Sequence, residues 1–247
     1  MQLEVDITGK SFISAAGKPH QVLADIRFSL ATGEVGVVVG PSGCGKSTML
    51  RILAGLDPNY QGRVARPGRA RLAMVFQEPR LLPWRSVEDN VRLAAPEADE
   101  ARLTALFSLL ELGAHREHYP GELSLGLARR VALARAFAIE PDFLILDEPL
   151  ASLDDALAAR LREEIAGLVG HRPMITLLVT HSLDDAVRLG DKLLLLSSRP
   201  ARLLHTLPIA IPRAARDEQT IAAIKADITR LNLANSQGVS DAGGQRQ

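Results

Sequence analysis

The stretch GPSGCGKST, Gly40 to Thr48, restricts the fold of this chain more than any other. It has the spacing G-x-x-x-x-G-K-[ST], follows the largely β-branched run EVGVVVG and opens the helical run KSTMLRILAGL. A loop between a buried strand and a helix start turns successive backbone N–H groups toward one point, where the helix dipole adds partial positive charge. Gly40, Gly43 and Gly45 let the backbone curl around an anion, with Pro41, Ser42 and Cys44 between them. Lys46 supplies a point charge for β- and γ-phosphates, and the Ser47 hydroxyl, next to Thr48, suits Mg²⁺. A chance Gly-rich turn is the competing reading, and the strand before and helix after count against it. Cys44 reads as a small loop residue, since no base stands beside it in the sequence.

A second apolar run, FLILDEP (Phe143 to Pro149), ends in two acids. It places Asp147 and Glu148 at the C-terminal edge of a strand, where open α/β sheets bind ligands. Asp147 then suits the shell around Mg²⁺, and Glu148 suits the polarisation of an attacking water. Further strands (RLAMVFQ, MITLLVT, KLLLLSS) alternate with helices (DALAARLREEIAGLVG, LDDAVRLG). That alternation predicts an α/β fold with a mostly parallel sheet covered on both faces. The first 30 residues read as two or three short strands, and about 87–139 as a helical insertion with a break at Pro120-Gly121. After Ile211 come a polar helix candidate, DEQTIAAIKADITRL, and a Gly/Ser/Gln tail expected to be loose.

Composition narrows the setting. Of 247 residues, 47% are apolar, enough for a full core. Lys plus Arg equals Asp plus Glu at 29 each, which speaks against a nucleic-acid partner. One cysteine forbids an intrachain disulfide and fits a reducing compartment. MQLEVDITGK alternates like a half-buried strand rather than a signal peptide, and no run of about 18 apolar residues occurs. A membrane role would come through a partner.

Four further elements follow the phosphate loop in order: Gln77 in VFQEPRLLPW, the turn LSLGL (Leu123 to Leu127), SLD (Ser152 to Asp154) and VTHSLDDA (Val179 to Ala186). Together they resemble the ATP-binding subunit of an ABC transporter, over roughly residues 3 to 212. The resemblance implies a P-loop NTPase domain at 1–212, with an antiparallel N-terminal β subdomain and an inserted α-helical one. Residues 213–247 are then a C-terminal helix and tail. It implies that Gln77 reaches Mg²⁺ and the attacking water, that His181 hydrogen-bonds the γ-phosphate, and that Asp154 works at a dimer interface. By itself Asp154 could equally be a helix N-cap. Phe12, in GKSF, resembles the aromatic that stacks on adenine, with a core role as the alternative. The turn LSLGL resembles the signature loop, usually Leu-Ser-Gly-Gly-Gln, which caps the γ-phosphate held by the opposite subunit of a head-to-tail dimer. Ser124 and Gly126 stand at its two contact positions, whereas Leu125 and Leu127 depart from the pattern. Leu125 matters if its position needs positive φ or very close approach.

FQEPRLLPWRSVEDNV and SSRPARL resemble the nitrate, sulfonate and taurine importers more than the exporters. That resemblance implies a homodimer, transmembrane permease subunits, an indirect link to a periplasmic solute-binding protein, and a peripheral site on the cytoplasmic side of the inner membrane. Trp84 is either core or an interface residue. Arg129, Arg130 and Arg135 read as a partly solvated helix face. An ATP-binding regulatory subunit, or an exporter subunit, with a weakened signature is the other reading. A P-loop phosphotransferase would need no signature turn, and a DNA-maintenance ATPase would need coiled coils for which there is no room.

Overall fold

The computed structural model describes residues 1–14, 17–66, 68 and 70–241, with backbone alone over 232–241. Among the described residues nine strands run in chain order: β1 (Gln2–Ile13), β2 (Pro19–Ala31), β3 (Val35–Val39), β4 (Gln61–Ala65), β5 (Leu72–Val75), β6 (Phe143–Asp147), β7 (Ile175–Thr180), β8 (Lys192–Leu196) and β9 (Leu203–Pro208). The helices are α1 (Lys46–Leu53), α2 (Val87–Arg92), α3 (Glu100–Leu109), α4 (Leu125–Ala138), α5 (Asp155–His171), α6 (Leu183–Leu189) and α7 (Glu218–Asp241).

The main sheet has the order β5-β6-β7-β3-β8-β9, parallel except for β9 at one edge. A separate antiparallel sheet has the order β2-β1-β4. The expected mostly parallel sheet and antiparallel N-terminal subdomain are therefore both present. β6 shows why a continuous apolar run suits a central strand. Phe143 and Ile145 enter the core shared with β1, β2 and α1, while Leu144 and Leu146 enter the core shared with α4, α5 and α6. Alternate side chains bury on opposite faces, so no position is left for a polar residue until Asp147.

α2, α3 and α4 form the helical insertion, and its break is a 3₁₀ turn at Pro120–Glu122. α4 overturns one expectation. Arg129 and Arg130 are buried, not solvated. The helix is buried nearly all round, at Val131, Ala132, Leu133, Ala134, Ala136 and Ala138, so arginines within it must find partners inside the protein. Arg130 pairs with Glu111 (2.5 Å) and Glu164 (2.6 Å).

α7 is longer than expected. It reaches Asp241, burying Ile221 and Ile228 and pairing Lys225 with Asp184 and Glu218 with Arg188. The rest of the expected loose tail, 242–247, lies outside the described residues.

Candidate nucleotide site

Sheet register assembles the site. β3 pairs with β7, which pairs with β6, so Val39 lies opposite Thr180 and Asp147 opposite Val179. The loop after β3, the acids ending β6 and the histidine after β7 therefore emerge at one edge. In that loop Gly43 (φ 71°) and Gly45 (φ 129°) adopt conformations that side-chain-bearing residues resist. Gly40 answers a different need, because a Cβ there would sit 3.1 Å from Leu196 Cβ and 3.3 Å from Cys44 Sγ. Cys44 itself is buried.

Lys46 Nζ donates to the carbonyls of Gly40 (2.8 Å) and Pro41 (3.0 Å) and stands 3.8 Å from Glu148 Oε1. Its ammonium thus sits inside the curl of the loop. Glu148 Oε2 accepts from His181 Nδ1 at 2.9 Å; a carboxylate only accepts here, so Nδ1 carries the proton. Glu148 has φ 46°, a left-handed conformation fixed by its N–H donating to Val179 O at 2.9 Å. Burial pushes the Asp147 carboxyl above its usual range, and the adjacent Glu148 charge adds to this. Lys46 and the Ser47 hydroxyl act in the opposite direction. Beside it a cavity of about 400 Å³ is lined by Ser47, Gln77, Asp147, Arg51 and Arg80 among others. The structure thus brings Lys46, Ser47, Gln77, Asp147, Glu148 and His181 together.

Among the described residues, Phe12, Ser124 and Asp154 make no hydrogen bond or ion pair to these six. Ser124 caps α4, its Oγ accepting from Leu127 N at 3.3 Å, and Asp154 caps α5, accepting from Leu157 N at 2.9 Å. Phe12 is 44% exposed, so it is not a core residue. Lys10 Nζ covers one of its faces at 4.6 Å from the ring centroid. Trp84, 71% exposed, is not core either.

Leu125 is the first residue of α4, in right-handed helical backbone, and its side chain is 47% exposed. The position makes no demand for positive φ. Gly126 is the tighter of the two: a Cβ there would lie 2.9 Å from Leu157 Cδ2, so that half-buried side chain would have to move aside. Leu125→Gly should therefore leave phosphate release within about threefold of wild type and lower the melting temperature slightly, since glycine costs up to about 1 kcal/mol in a helix. A tenfold gain in steady-state phosphate release would instead show that the leucine obstructs the site.

Sequence reasoning misses three kinds of contact. Arg199 donates to Gly43 O (2.6 Å) and meets His20 Nε2 (3.1 Å). Fully buried Asn90 bonds the backbone of Leu82, Arg85 and Ser86, fixing the loop that displays Trp84. Arg129 and Arg135 bond backbone carbonyls rather than acids. Only the last has a signal, the arginines set in an otherwise apolar helix.

A phosphate loop leading out of a central parallel strand, with an Asp-Glu pair and a histidine at the neighbouring strand ends, defines a P-loop nucleoside triphosphatase. The profile of the ABC transporter family matches residues 23–151. An aliphatic sulfonates import ATP-binding protein of Pseudomonas syringae pv. tomato is 41% identical over 219 residues, covering 87% of this chain and 94% of that protein. A protein of the same name from Bacillus subtilis is 38% identical over 225 residues, covering 86% of this chain and 88% of that protein. The chain belongs to the ABC transporter family, whose ATP-binding cassettes hydrolyse ATP. Among solved structures, a dimeric ATP-binding cassette in a post-hydrolysis state with ADP and Pi aligns with a TM-score of 0.73 at 23% identity, over 86% of this chain and all of that one. The ATP-binding subunit of an ABC transporter gives 0.72 at 26% identity, over 85% of this chain and 90% of that one.

Proposed function

We propose that this chain is the ATP-hydrolysing subunit of an importer for sulfonate-like organic solutes, acting as a homodimer on transmembrane permease subunits. The observation that carries the catalytic reading is the setting of Glu148: 2.9 Å to His181, 3.8 Å to Lys46, and a backbone held in the left-handed region. The names of the relatives, aliphatic sulfonates import ATP-binding proteins, support the solute class.

In this reading the amides of Gly43 to Thr48 and the Lys46 ammonium hold the β- and γ-phosphates. Glu148 accepts a proton from a water as its oxygen bonds the γ-phosphorus and the bond to the β-phosphate oxygen breaks, leaving ADP and phosphate. His181 orients Glu148 and meets the γ-phosphate. Phe12 offers its uncovered face to adenine. Ser124 and Gly126 of one copy, with Asp154, close over the nucleotide of the other.

Among the described residues no group of three or more His, Cys, Asp and Glu side chains could hold a metal alone. Ser47, Gln77 and Asp147 nevertheless line one cavity, and two crowded acids with one carboxyl held above its usual range suit a divalent cation shared with nucleotide phosphates. Mg²⁺ there would supply charge neutralisation on the phosphate oxygens.

No described helix is long and apolar enough to cross a membrane. A peripheral site on the cytoplasmic face of the inner membrane, with an indirect link to a periplasmic solute-binding protein, follows from the importer reading. The regulatory or exporter alternative rests on the altered signature, and Leu125 in ordinary helical backbone answers the part of that argument that needed positive φ. Phosphate release per mole of protein, measured with Mg-ATP across a range of protein concentrations, should rise with concentration as composite sites form. Activity independent of concentration would sink the dimer; phosphate passed to an acceptor would sink the hydrolase.

A further inference from the structure

Helix α4 carries two arginines that grip backbone instead of carboxylates. Arg129 donates through Nη1 to Pro149 O at 2.8 Å and through Nη2 to Ala151 O. Arg135 donates through Nη2 to Pro79 O at 2.8 Å and through Nη1 to Arg80 O at 2.9 Å. The step from one to the other turns the helix by a net of about 240° and advances it by about 9 Å, so the guanidinium groups leave on different flanks.

Neither arginine forms an ion pair among the described residues. Burial pushes both guanidinium pKa values down, with no carboxylate to offset it. A charge held this way is costly unless its hydrogen bonds are good, and truncating it also strands the carbonyls it served.

What the arginines hold is strained. Residues 149–151 lie between Glu148 (φ 46°) and Ser152 (φ 60°), and Arg80 itself has φ 48°. Left-handed backbone at residues other than glycine costs about 1–3 kcal/mol each and persists only where the surroundings fix it. One clamped segment follows directly on Glu148 and leads to Asp154. The other follows Gln77 and leads to Trp84. The helix that carries both clamps begins at the signature turn, with Ser124 as its cap.

We propose that Arg129 and Arg135 are positioning residues that tie the signature helix to both loops of its own subunit, the turn behind Glu148 and the segment after Gln77, so that a shift of α4 moves the two together. The inference rests on the ATPase reading above. It assigns α4 a role within its own subunit, besides the contact its signature turn makes with the opposite nucleotide.

Two readouts separate this role from plain stabilisation. Trp84 is the chain's single tryptophan and lies four residues beyond Arg80, so its emission reports on the clamped segment. In the full-length protein, Mg-ATP should change Trp84 emission. Arg135→Met should abolish most of that change while binding a fluorescent ATP analogue within threefold of wild type. Arg129→Gln should lower kcat at least tenfold with the same near-constant affinity, and Arg129→Lys, which keeps one donor group, should fall between. If Arg129→Gln or Arg135→Met fails to fold, the lysine variant at that position decides by the same readout. The inference is overturned if Trp84 does not respond in the wild type, if the variants keep full coupling and turnover, or if affinity and turnover fall together with the melting temperature. A wild type that binds Mg-ATP yet releases no phosphate at any concentration would count against the ATPase reading instead, and the Trp84 response would still judge the Arg135 clamp.

Discussion

Glu148→Gln should bind ATP within about threefold of wild type and release phosphate at least about 100-fold more slowly, a loss of roughly 2.7 kcal/mol of transition-state stabilisation. The substitution is nearly isosteric. A glutamine oxygen can still accept from His181 Nδ1, and the backbone bond to Val179 O is untouched. What disappears is the ability to take a proton from water, along with the negative charge 3.8 Å from Lys46. Binding and folding should therefore survive while chemistry stops. With hydrolysis blocked, a dimer should accumulate in Mg-ATP on size exclusion, whereas the wild type should return to its starting size as ATP is consumed. Turnover close to wild type would place the base elsewhere, with Asp147 the nearest candidate. Lost binding would mean that Glu148 positions Lys46 rather than water.

Much of this site is legible in the amino-acid sequence because its parts are written as contiguous runs. β3, β6, β7 and β8 are short, largely apolar strands buried on both faces, and each announces itself as a run interrupted by at most one polar residue. Three of them, β3, β6 and β7, lead at their C-terminal ends into the residues that make the site. Strands whose side chains are half exposed leave no such mark. β4, QGRVA, has no fully buried residue, and β9, LLHTLP, alternates partly buried with exposed positions at the sheet edge. The inward-facing arginines of α4 escape a linear reading for a related reason. Charge usually marks solvent, and only the apolar surroundings on all sides of α4 show that Arg129 and Arg130 point inward. Leu125 is the reverse case. It departs from the family pattern, yet φ at that position is ordinary, and only the backbone shows this; the closer packing is at the next residue, Gly126, against the Leu157 side chain.

Lys46→Met should weaken ATP binding by two orders of magnitude or more while leaving the nucleotide-free fold close to wild type. The Lys46 side chain is 6% exposed and its ammonium donates to two loop carbonyls at 2.8 and 3.0 Å, but its carboxylate neighbour is 3.8 Å away, too far for a tight pair. Methionine keeps most of the aliphatic stem against the core. Its cost without ligand is thus two bonds to Gly40 and Pro41, residues near the surface that water can reach. On phosphate the balance differs. Hydrogen bonds to charged groups are worth about 1.5–3 kcal/mol each, so two of them lost amount to about 3–6 kcal/mol, more than 100-fold in affinity. Thermal melting separates the two effects. A ligand present at 100 times its Kd stabilises the native state by about 2.7 kcal/mol, and for a chain of this length each kcal/mol raises the melting temperature by about 2–4 °C. Wild type should therefore gain roughly 5–11 °C in saturating Mg-ATP by the same scaling, and Lys46→Met almost none. A variant that melts early without nucleotide would make Lys46 a structural residue of the loop. One that melts normally and still gains the full shift would move the phosphate contact onto the backbone amides of Gly43 to Ser47 alone, with the lysine serving only the transition state.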